Sequence, residues 1–201
     1  MTFESLIAFN LVLLAALASP GAALLYAIKT CVASGRAAGF ATGIGLGCAA
    51  ALWTLAALLG LEGLFRLFPW TYTVLKIGGA LYLIWLAIQT WRHAKSPLGE
   101  TSRPHGRAFL SGLLINVGNP KSMLFAAAVI VVVFPQGLAA TEIAIIVANH
   151  FVLEVFFYGV VALLLSSAPA RRGYLGAKPV LDRIAATLLG ALGLRLLTER
   201  N

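Results

Sequence analysis

The sequence predicts an all-α membrane protein with six transmembrane helices, built as two inverted three-helix repeats whose first helices are broken at proline. Three observations predict it. Apolar residues make up 60% of the 201-residue chain and charged residues 11%. Long apolar runs recur along the chain, and each half contains a proline-centred break. A soluble domain is usually about 45–50% apolar and about a quarter charged. The lipid bilayer is therefore the solvent that fits this composition.

Six apolar segments are candidate spans, because a transmembrane helix needs roughly 20 apolar residues. They are residues 6–28, 37–61, 70–91, 108–135, 143–165 and 180–197. The first two carry no charge, the third contains Lys76 and the fourth contains Lys121. The last is the weakest, since Asp182, Arg183 and Arg195 lie near its ends. If that segment only lies on the membrane surface, the C-terminus stays in the cytoplasm.

The basic residues predict the orientation. Ten of them lie between spans, or at their boundaries, on one side: Lys29, Arg36, Arg92, Lys95, Arg103, Arg107, Arg171, Arg172, Lys178 and Arg183. Only Arg66 and Arg200 flank spans on the other side. The positive-inside rule places the ten in the cytoplasm and both termini outside. Because these charges form short strips rather than one basic face, nucleic acid is not an expected partner.

The chain divides into a repeat at 1–92, a cytoplasmic linker at 93–107 and a second repeat at 108–201. The linker is rich in serine, proline and glycine, which is typical of a loop. Each repeat would hold an odd number of spans, so the second would insert upside down relative to the first. The two halves resemble each other at Pro20 and Pro120, which are 100 residues apart. Chance similarity between apolar sequences is the alternative.

The proline-centred breaks are the candidate substrate site. Ser19 and Asn119 precede Pro20 and Pro120, and serine and asparagine are good N-caps while proline suits the first helical position. Each break is therefore expected to start a half-helix, whose free N–H groups and partial positive charge suit a carboxylate. Inverted repeats with such breaks are typical of transporter sites near the membrane midplane. The expected substrate-binding residues are Ser19, Pro20, Gly21, Asn116, Asn119, Pro120 and Lys121. A plain proline kink is the alternative.

Three ionisable residues within spans are candidates for chemistry. A lysine at the centre of a span costs about 2.5–3.5 kcal/mol on insertion scales, so Lys121 needs a partner, a water-filled cavity or a substrate anion. Alternatively, its helix starts late and Lys121 reaches the cytoplasmic interface. His150 and Glu154 are four residues apart and share a helix face. They are expected to exchange protons and couple export to the proton gradient, or else to form a structural pair.

Small residues and cysteines are expected to serve packing. Glycine or alanine recurs every fourth residue along the second span, at Gly35, Gly39, Gly43, Gly47 and Ala51. Such a ridge lets another helix approach closely. Cys31 and Cys48 show no metal-ligand spacing. The sequence has no phosphate-binding loop and no zinc-type cluster, so we expect no cofactor, no ATP drive and no enzymatic activity.

The ordered set of motifs resembles the LysE/RhtB family of amino-acid exporters. Residues 19–21 are similar to the family's Pro-Gly-Pro motif, 35–39 to its Gly-Arg-x-x-Gly loop, 79–83 to the end of its third span and 116–121 to its Asn-Pro-Lys segment. The resemblance covers essentially the whole chain. It implies an exporter of amino acids or related metabolites in the bacterial inner membrane, working by proton antiport. It also implies functional roles for Pro20, Gly21, Asn119, Pro120 and Lys121.

The chain departs from the family pattern in two places. Ala22 stands where the second proline is usual, and Ala23 follows where a polar residue is common. Glu154 matches no family motif, so its expected role rests on the residues alone. A metal or ion efflux carrier remains an alternative, with Cys31, Cys48 and Glu154 as its only ligand material. A non-transporting membrane subunit is a second alternative, and a homodimer stays open.

Overall fold

The computed structural model describes residues 1–19, 21–68, 70–95, 107–135, 137–164 and 167–198. These residues form helices and connecting turns, and the described part of the chain contains no strand. The helices are α1 (Phe3–Ala18), α2 (Ala22–Leu67), α3 (Trp70–Arg92), α4 (Ala108–Val117), α5 (Pro120–Val133), α6 (Ala140–Leu164) and α7 (Ala168–Thr198). The predicted all-α class is confirmed. Pro20 and most of the predicted linker at 93–107 lie outside the described residues.

Several helices have the length and surface of membrane spans. Within the described residues, Ala22–Gly60 of α2 and the whole of α6 are each long and apolar enough to cross a bilayer. The pair formed by α4 and Lys121–Ile130 passes the same test but is bent by 61°. Along α3, Val74, Ile77 and Leu81 are among the large apolar side chains that are exposed. Because water-soluble monomers rarely expose extended apolar patches, lipid is the solvent these surfaces fit.

Gly35 divides α2 into two helical segments, 22–34 and 36–67. Its backbone has φ 85° and ψ 173°, a conformation that side chains with a Cβ rarely adopt. No atom lies within 4 Å of the position a Cβ would take, so the backbone angle alone requires glycine here. The expectation that Gly35 belongs to the packing ridge is therefore wrong. It bends the chain instead.

Two glycines of the small-residue ridge, Gly43 and Gly47, do pack closely against another helix, as the sequence predicts. A Cβ added at Gly43 would lie 2.5 Å from the Tyr158 Cβ on α6, and one added at Gly47 would lie 3.2 Å from Val155. On another face of α2, a Cβ at Gly45 would lie 2.1 Å from the Phe109 carbonyl oxygen of α4. Long stretches of α2 thus run in direct contact with α4 and α6.

One apolar core joins the helices around this pair of contacts. α3 packs against α7 and α5, and α1 packs against α7, α5 and α6. The core includes Phe9 of α1, Leu83 of α3, Val129 of α5, Ile146 of α6 and Leu189 of α7, each at most 1% exposed. A group of polar residues lies where helices meet at the breaks between α1 and α2 and between α4 and α5.

The final helix differs from its predicted position. α7 begins at Ala168, well before the predicted start at 180, and continues through Pro179. Lys178, which the sequence places between the fifth and sixth spans or at their boundary, therefore lies within a helix. Its side chain is buried and forms an ion pair of 2.8 Å with Asp182 one turn further along. The charge is held inside the protein because that carboxylate lies on the same helix face.

The close contact at Gly45 leads to a stability prediction. The Gly45→Ala variant should lose about 1–3 kcal/mol of unfolding free energy, because the new methyl group overlaps the Phe109 carbonyl and forces α2 and α4 apart. Thermal unfolding of the detergent-purified protein measures this. Gly60→Ala is the matched control, since no atom lies within 4 Å of the added methyl group. Equal melting temperatures for the two variants would contradict the close-contact interpretation.

Candidate substrate site

A cavity of about 60 Å³ lies where the end of α1 and the start of α2 meet α4, α5 and α6. Its volume corresponds to roughly two water molecules, at about 30 Å³ each in the liquid. The predicted site residues that line it are Ser19, Gly21, Asn116, Asn119, Lys121, His150 and Glu154. Pro120 is the first residue of α5, and Pro20 lies outside the described residues. The structure therefore brings together residues from both predicted breaks and from the fifth predicted span.

The first break is organised differently from the expectation. Ser19 ends α1, and its N–H donates to the Ala15 carbonyl at 3.1 Å. Its hydroxyl donates to Asp182 Oδ1 on α7 at 2.8 Å. The next helix starts from Gly21, whose carbonyl accepts from Leu25 N–H at 3.0 Å. The expectation that Ser19 caps the second half-helix is wrong, because Ser19 is the C-cap of α1 and α2 begins only at Ala22.

The second break follows the sequence prediction. Asn119 is the N-cap of α5, and its Oδ1 accepts from the Lys121 backbone N–H at 3.1 Å. Pro120 is the first helical residue, where its missing N–H leaves no hydrogen bond unmade. The predicted capping role of Asn119 is confirmed. The Ser122 and Met123 N–H groups donate to the Asn119 carbonyl at 3.1 and 3.2 Å, so the first turn of α5 closes on its own cap.

Asn116 holds the second break against α2. It is 1% exposed, and its Nδ2 donates to the Leu46 carbonyl at 2.8 Å. Its Oδ1 accepts from Ser122 Oγ at 2.5 Å and from Asn119 Nδ2 at 3.4 Å. Its backbone carbonyl accepts from Trp53 Nε1 at 3.3 Å. The amide expected to contact substrate is, in this conformation, bonded to the protein through both its nitrogen and its oxygen.

The Lys121 side chain links the two breaks. Its Nζ donates to the Ala16 carbonyl in the last turn of α1 at 3.4 Å. It also lies 3.7 Å from the position a Cβ would take at Gly21. The last carbonyls of a helix have no intrahelical partner and carry partial negative charge, so they attract a cation. Lys121 therefore points inward into the cavity, and the alternative that it reaches the cytoplasmic interface does not describe this conformation.

His150 and Glu154 form a buried pair on α6. His150 Nε2 lies 3.5 Å from Glu154 Oε1, and the two side chains are 3% and 6% exposed. Thr54 Oγ1 of α2 lies 2.7 Å from His150 Nδ1 and orients the ring. Within the described structure, His150 Nε2 and Glu154 Oε2 have no hydrogen-bond partner. A buried polar atom without a hydrogen-bond partner lowers the stability of the fold by about 1–3 kcal/mol. Binding of a proton, a water or a ligand at these two atoms would remove that cost.

Sequence reasoning missed Asp182 and Thr54 as neighbours of the site. Asp182 carried a weak signal, since it stands four residues after Lys178 and is the one acidic residue of α7. Thr54 carried none beyond being a hydroxyl in an apolar segment. Cys31 is buried and Cys48 is half-buried, and both are free. In the described ranges, no three His, Cys, Asp or Glu side chains lie together in a way that could hold a metal ion.

Comparison with known proteins gives a consistent set of relatives. A family model described as LysE type translocator matches residues 14–200. The chain is 31% identical to the threonine efflux protein of Escherichia coli K12, over 92% of this chain and 93% of that one. It is 34% identical to the homoserine/homoserine lactone efflux protein of Salmonella typhimurium, over 68% of this chain and 66% of that one. No solved structure matches the chain significantly.

The hydrogen bonds of Asn116 lead to a prediction about the second break. Asn116→Leu should lower the unfolding free energy by about 1–3 kcal/mol, because the Ser122 hydroxyl and the Asn119 amide lose their acceptor in a buried place. The measurement is thermal unfolding in detergent. Leu114→Ala, two residues away with its side chain 60% exposed, is the control and should change the melting temperature little. A loss no larger than that of the control would mean that Asn116 does not hold the break.

Proposed function

The chain belongs to the LysE type translocator family, and from that premise we propose that it exports amino acids or similar small metabolites across the bacterial inner membrane. The family match bears out the resemblance drawn from the motifs. The relatives' names, which include threonine and homoserine efflux proteins, support an amino-acid-like solute. The observation that carries the proposal is the Lys121 ammonium, which lies in an interior cavity between two helix ends.

The proposed architecture is six spans in two inverted repeats. In it, α1 and residues 22–34 form a first span broken at 19–21, and α4 and α5 form a fourth span broken at 118–119. The helix boundaries at Ala18 and Ala22 and the bend of 61° between α4 and α5 support this arrangement. Exposed basic residues at the proposed cytoplasmic ends, among them Lys29, Arg92 and Arg107, support termini that face outward.

The solute carboxylate would bind between Lys121 and the amino-terminal turn of α5. Lys121 Nζ donates to a neutral carbonyl at 3.4 Å, a long bond that a carboxylate would replace with a stronger charge-assisted one. The cavity of about 60 Å³ is too small for an amino acid, so the solute requires the walls to separate. Rocking of one repeat against the other would open it to each side of the membrane in turn.

Export would be coupled to protons through Glu154 and His150. The unpartnered Oε2 of Glu154 lies among the cavity-lining groups, where it can take a proton or bind the ammonium of the solute. Binding of one excludes the other, because both neutralise the same buried carboxylate. A proton arriving from outside would then displace the solute, and its release into the cytoplasm would reset the site. His150 would accept or donate that proton through Nε2.

The proposal predicts that Lys121→Ala abolishes export while the protein remains in the membrane. The variant removes the charge that would hold the solute carboxylate. The measurement is efflux of threonine, homoserine and leucine from proteoliposomes containing purified protein, with Lys95→Ala, an exposed lysine after α3, as the control. Normal efflux by Lys121→Ala would remove Lys121 from the mechanism.

The same proteoliposomes separate the alternatives. A metal carrier would release cadmium and no amino acid, and a non-transporting subunit would release neither. Either result with the unaltered protein would overturn the proposed function. Release of an amino acid from liposomes that contain the protein, and not from liposomes without it, would support the proposed function.

A second prediction concerns Glu154→Gln. The amide keeps the size of the side chain but cannot exchange a proton, so an imposed pH gradient should no longer accelerate efflux. Solute exchange at equal pH should persist at a reduced rate. Efflux is measured with and without the gradient, and Glu4→Gln, exposed in the first turn of α1, is the control. A pH-gradient response equal to that of the unaltered protein would show that Glu154 is not the coupling group.

A further inference from the structure

One face of α7 is attached to the first break by hydrogen bonds. Tyr174, Lys178 and Asp182 are spaced four residues apart and so lie above one another on the helix. The Tyr174 hydroxyl donates to the Ala18 carbonyl at 2.7 Å, and Asp182 Oδ1 accepts from Ser19 Oγ at 2.8 Å. The last residue of α1 and the residue that follows it are therefore both held by α7.

Lys178 anchors Asp182 to the end of α3. Its Nζ donates to Asp182 Oδ2 at 2.8 Å, to the His93 carbonyl at 2.8 Å and to the Ala94 carbonyl at 3.0 Å. An ammonium group has three donors, and these three bonds use all of them. A continuous chain of hydrogen bonds thus runs from the end of α3 through Lys178 and Asp182 to Ser19.

The buried ion pair is weak evidence for the stability of α7. Asp182 is 4% exposed and Lys178 is 8% exposed, and removing both charges from water carries a large desolvation cost. What the charged pair adds is a fixed acceptor for Ser19, because a carboxylate whose second oxygen is bound by Lys178 cannot turn away. The pair therefore specifies a position.

In this conformation the cavity is small, and Ala50 in its wall is only 2% exposed. Lys121 Nζ contacts Ala16 and lies near Gly21, on either side of Ser19 in the chain. If Ser19 moved away from α7, the end of α1 would carry the Ala16 carbonyl away from Lys121. The cavity walls at the first break are thus held by α7 from one side and by α5 from the other.

We propose that Asp182 is a positioning residue for transport. Lys178 anchors the Asp182 carboxylate, and the carboxylate holds Ser19. The first break thereby keeps the cavity closed until solute binds. Its consequence for export rests on the proposed function. Its structural claim is independent of the solute: breaking the bond between Ser19 and Asp182 should open the cavity. Opening can therefore be measured without any transport assay.

The experiment measures access to the cavity with a cysteine at position 50. Ala50 is 2% exposed and lines the cavity on α2, outside the network. Ala50→Cys is introduced together with Cys31→Ala and Cys48→Ala, and the rate of reaction with a small methanethiosulfonate reagent is measured in membranes. Asp182→Ala and Ser19→Ala should each raise that rate about tenfold, the size expected for losing one charge-assisted hydrogen bond. The double variant should react no faster than the faster single variant.

Two further variants make the result specific. Lys178→Met combined with Asp182→Asn leaves an oxygen acceptor for Ser19 and no unpaired buried charge, but it removes the bonds that anchor that acceptor. Its labelling rate should therefore rise as well, and a rate equal to that of the parent would show that Lys178 does not anchor Asp182. Thr187→Val is the control on α7, since Thr187 is exposed and its hydroxyl donates only within its own helix, to the Arg183 carbonyl at 2.9 Å. It should leave the rate unchanged.

The proposal is overturned if the cysteine at position 50 reacts at the parent rate in the Ser19→Ala variant. It is also overturned if the increases in reaction rate caused by Ser19→Ala and by Asp182→Ala multiply in the double variant. If Asp182→Ala fails to reach the membrane, Ser19→Ala and the Lys178/Asp182 neutral pair decide the question by themselves. Because labelling needs no solute, the positioning role and the proposed export function can fail separately. If the parent protein moves no amino acid but its variants react at the expected rates, only the proposed export function is refuted.

Discussion

Helix ends inside a bilayer must find hydrogen-bond partners within the protein, because lipid offers none. The site of this protein follows from that constraint. The last carbonyls of α1 accept from Lys121 of α5 and from Tyr174 of α7. At the start of α5, the Asn119 side chain accepts from the backbone of Lys121. Polar side chains from several helices therefore converge on the same small volume, and the cavity lies among them.

Two kinds of contact surround the cavity, and they differ in how the helices they join can separate. α2 meets α4 and α6 through glycines with no room for a methyl group, so these helices can separate only as rigid bodies. The end of α1 is instead held by individual hydrogen bonds to Lys121, Tyr174 and Asp182. Such bonds exchange readily for bonds to a solute or to water. At the first break, individual hydrogen bonds rather than close backbone packing therefore hold the cavity wall in place.

The sequence determined the class of the fold and the location of the second break. Composition alone required a membrane protein, because too few charges are present to cover a soluble surface. Asn119 followed by Pro120 specified a helix start, since the cap and the missing N–H act within one turn. His150 and Glu154 had to share a face because four residues make about one helical turn. Each of these features depends on neighbours in the chain and on nothing more distant.

Only the tertiary structure decided which distant groups meet. Ser19 looks like an N-cap by sequence, yet its hydroxyl donates to Asp182, 163 positions further along the chain. Lys178 looks like a loop cation, yet it is buried because Asp182 and the carbonyls at the end of α3 surround it. Gly35 resembles the glycines that follow it, yet its positive φ bends α2. The physical reason is common to all three: a polar group takes the strongest partner that packing brings near, and local sequence does not encode that packing.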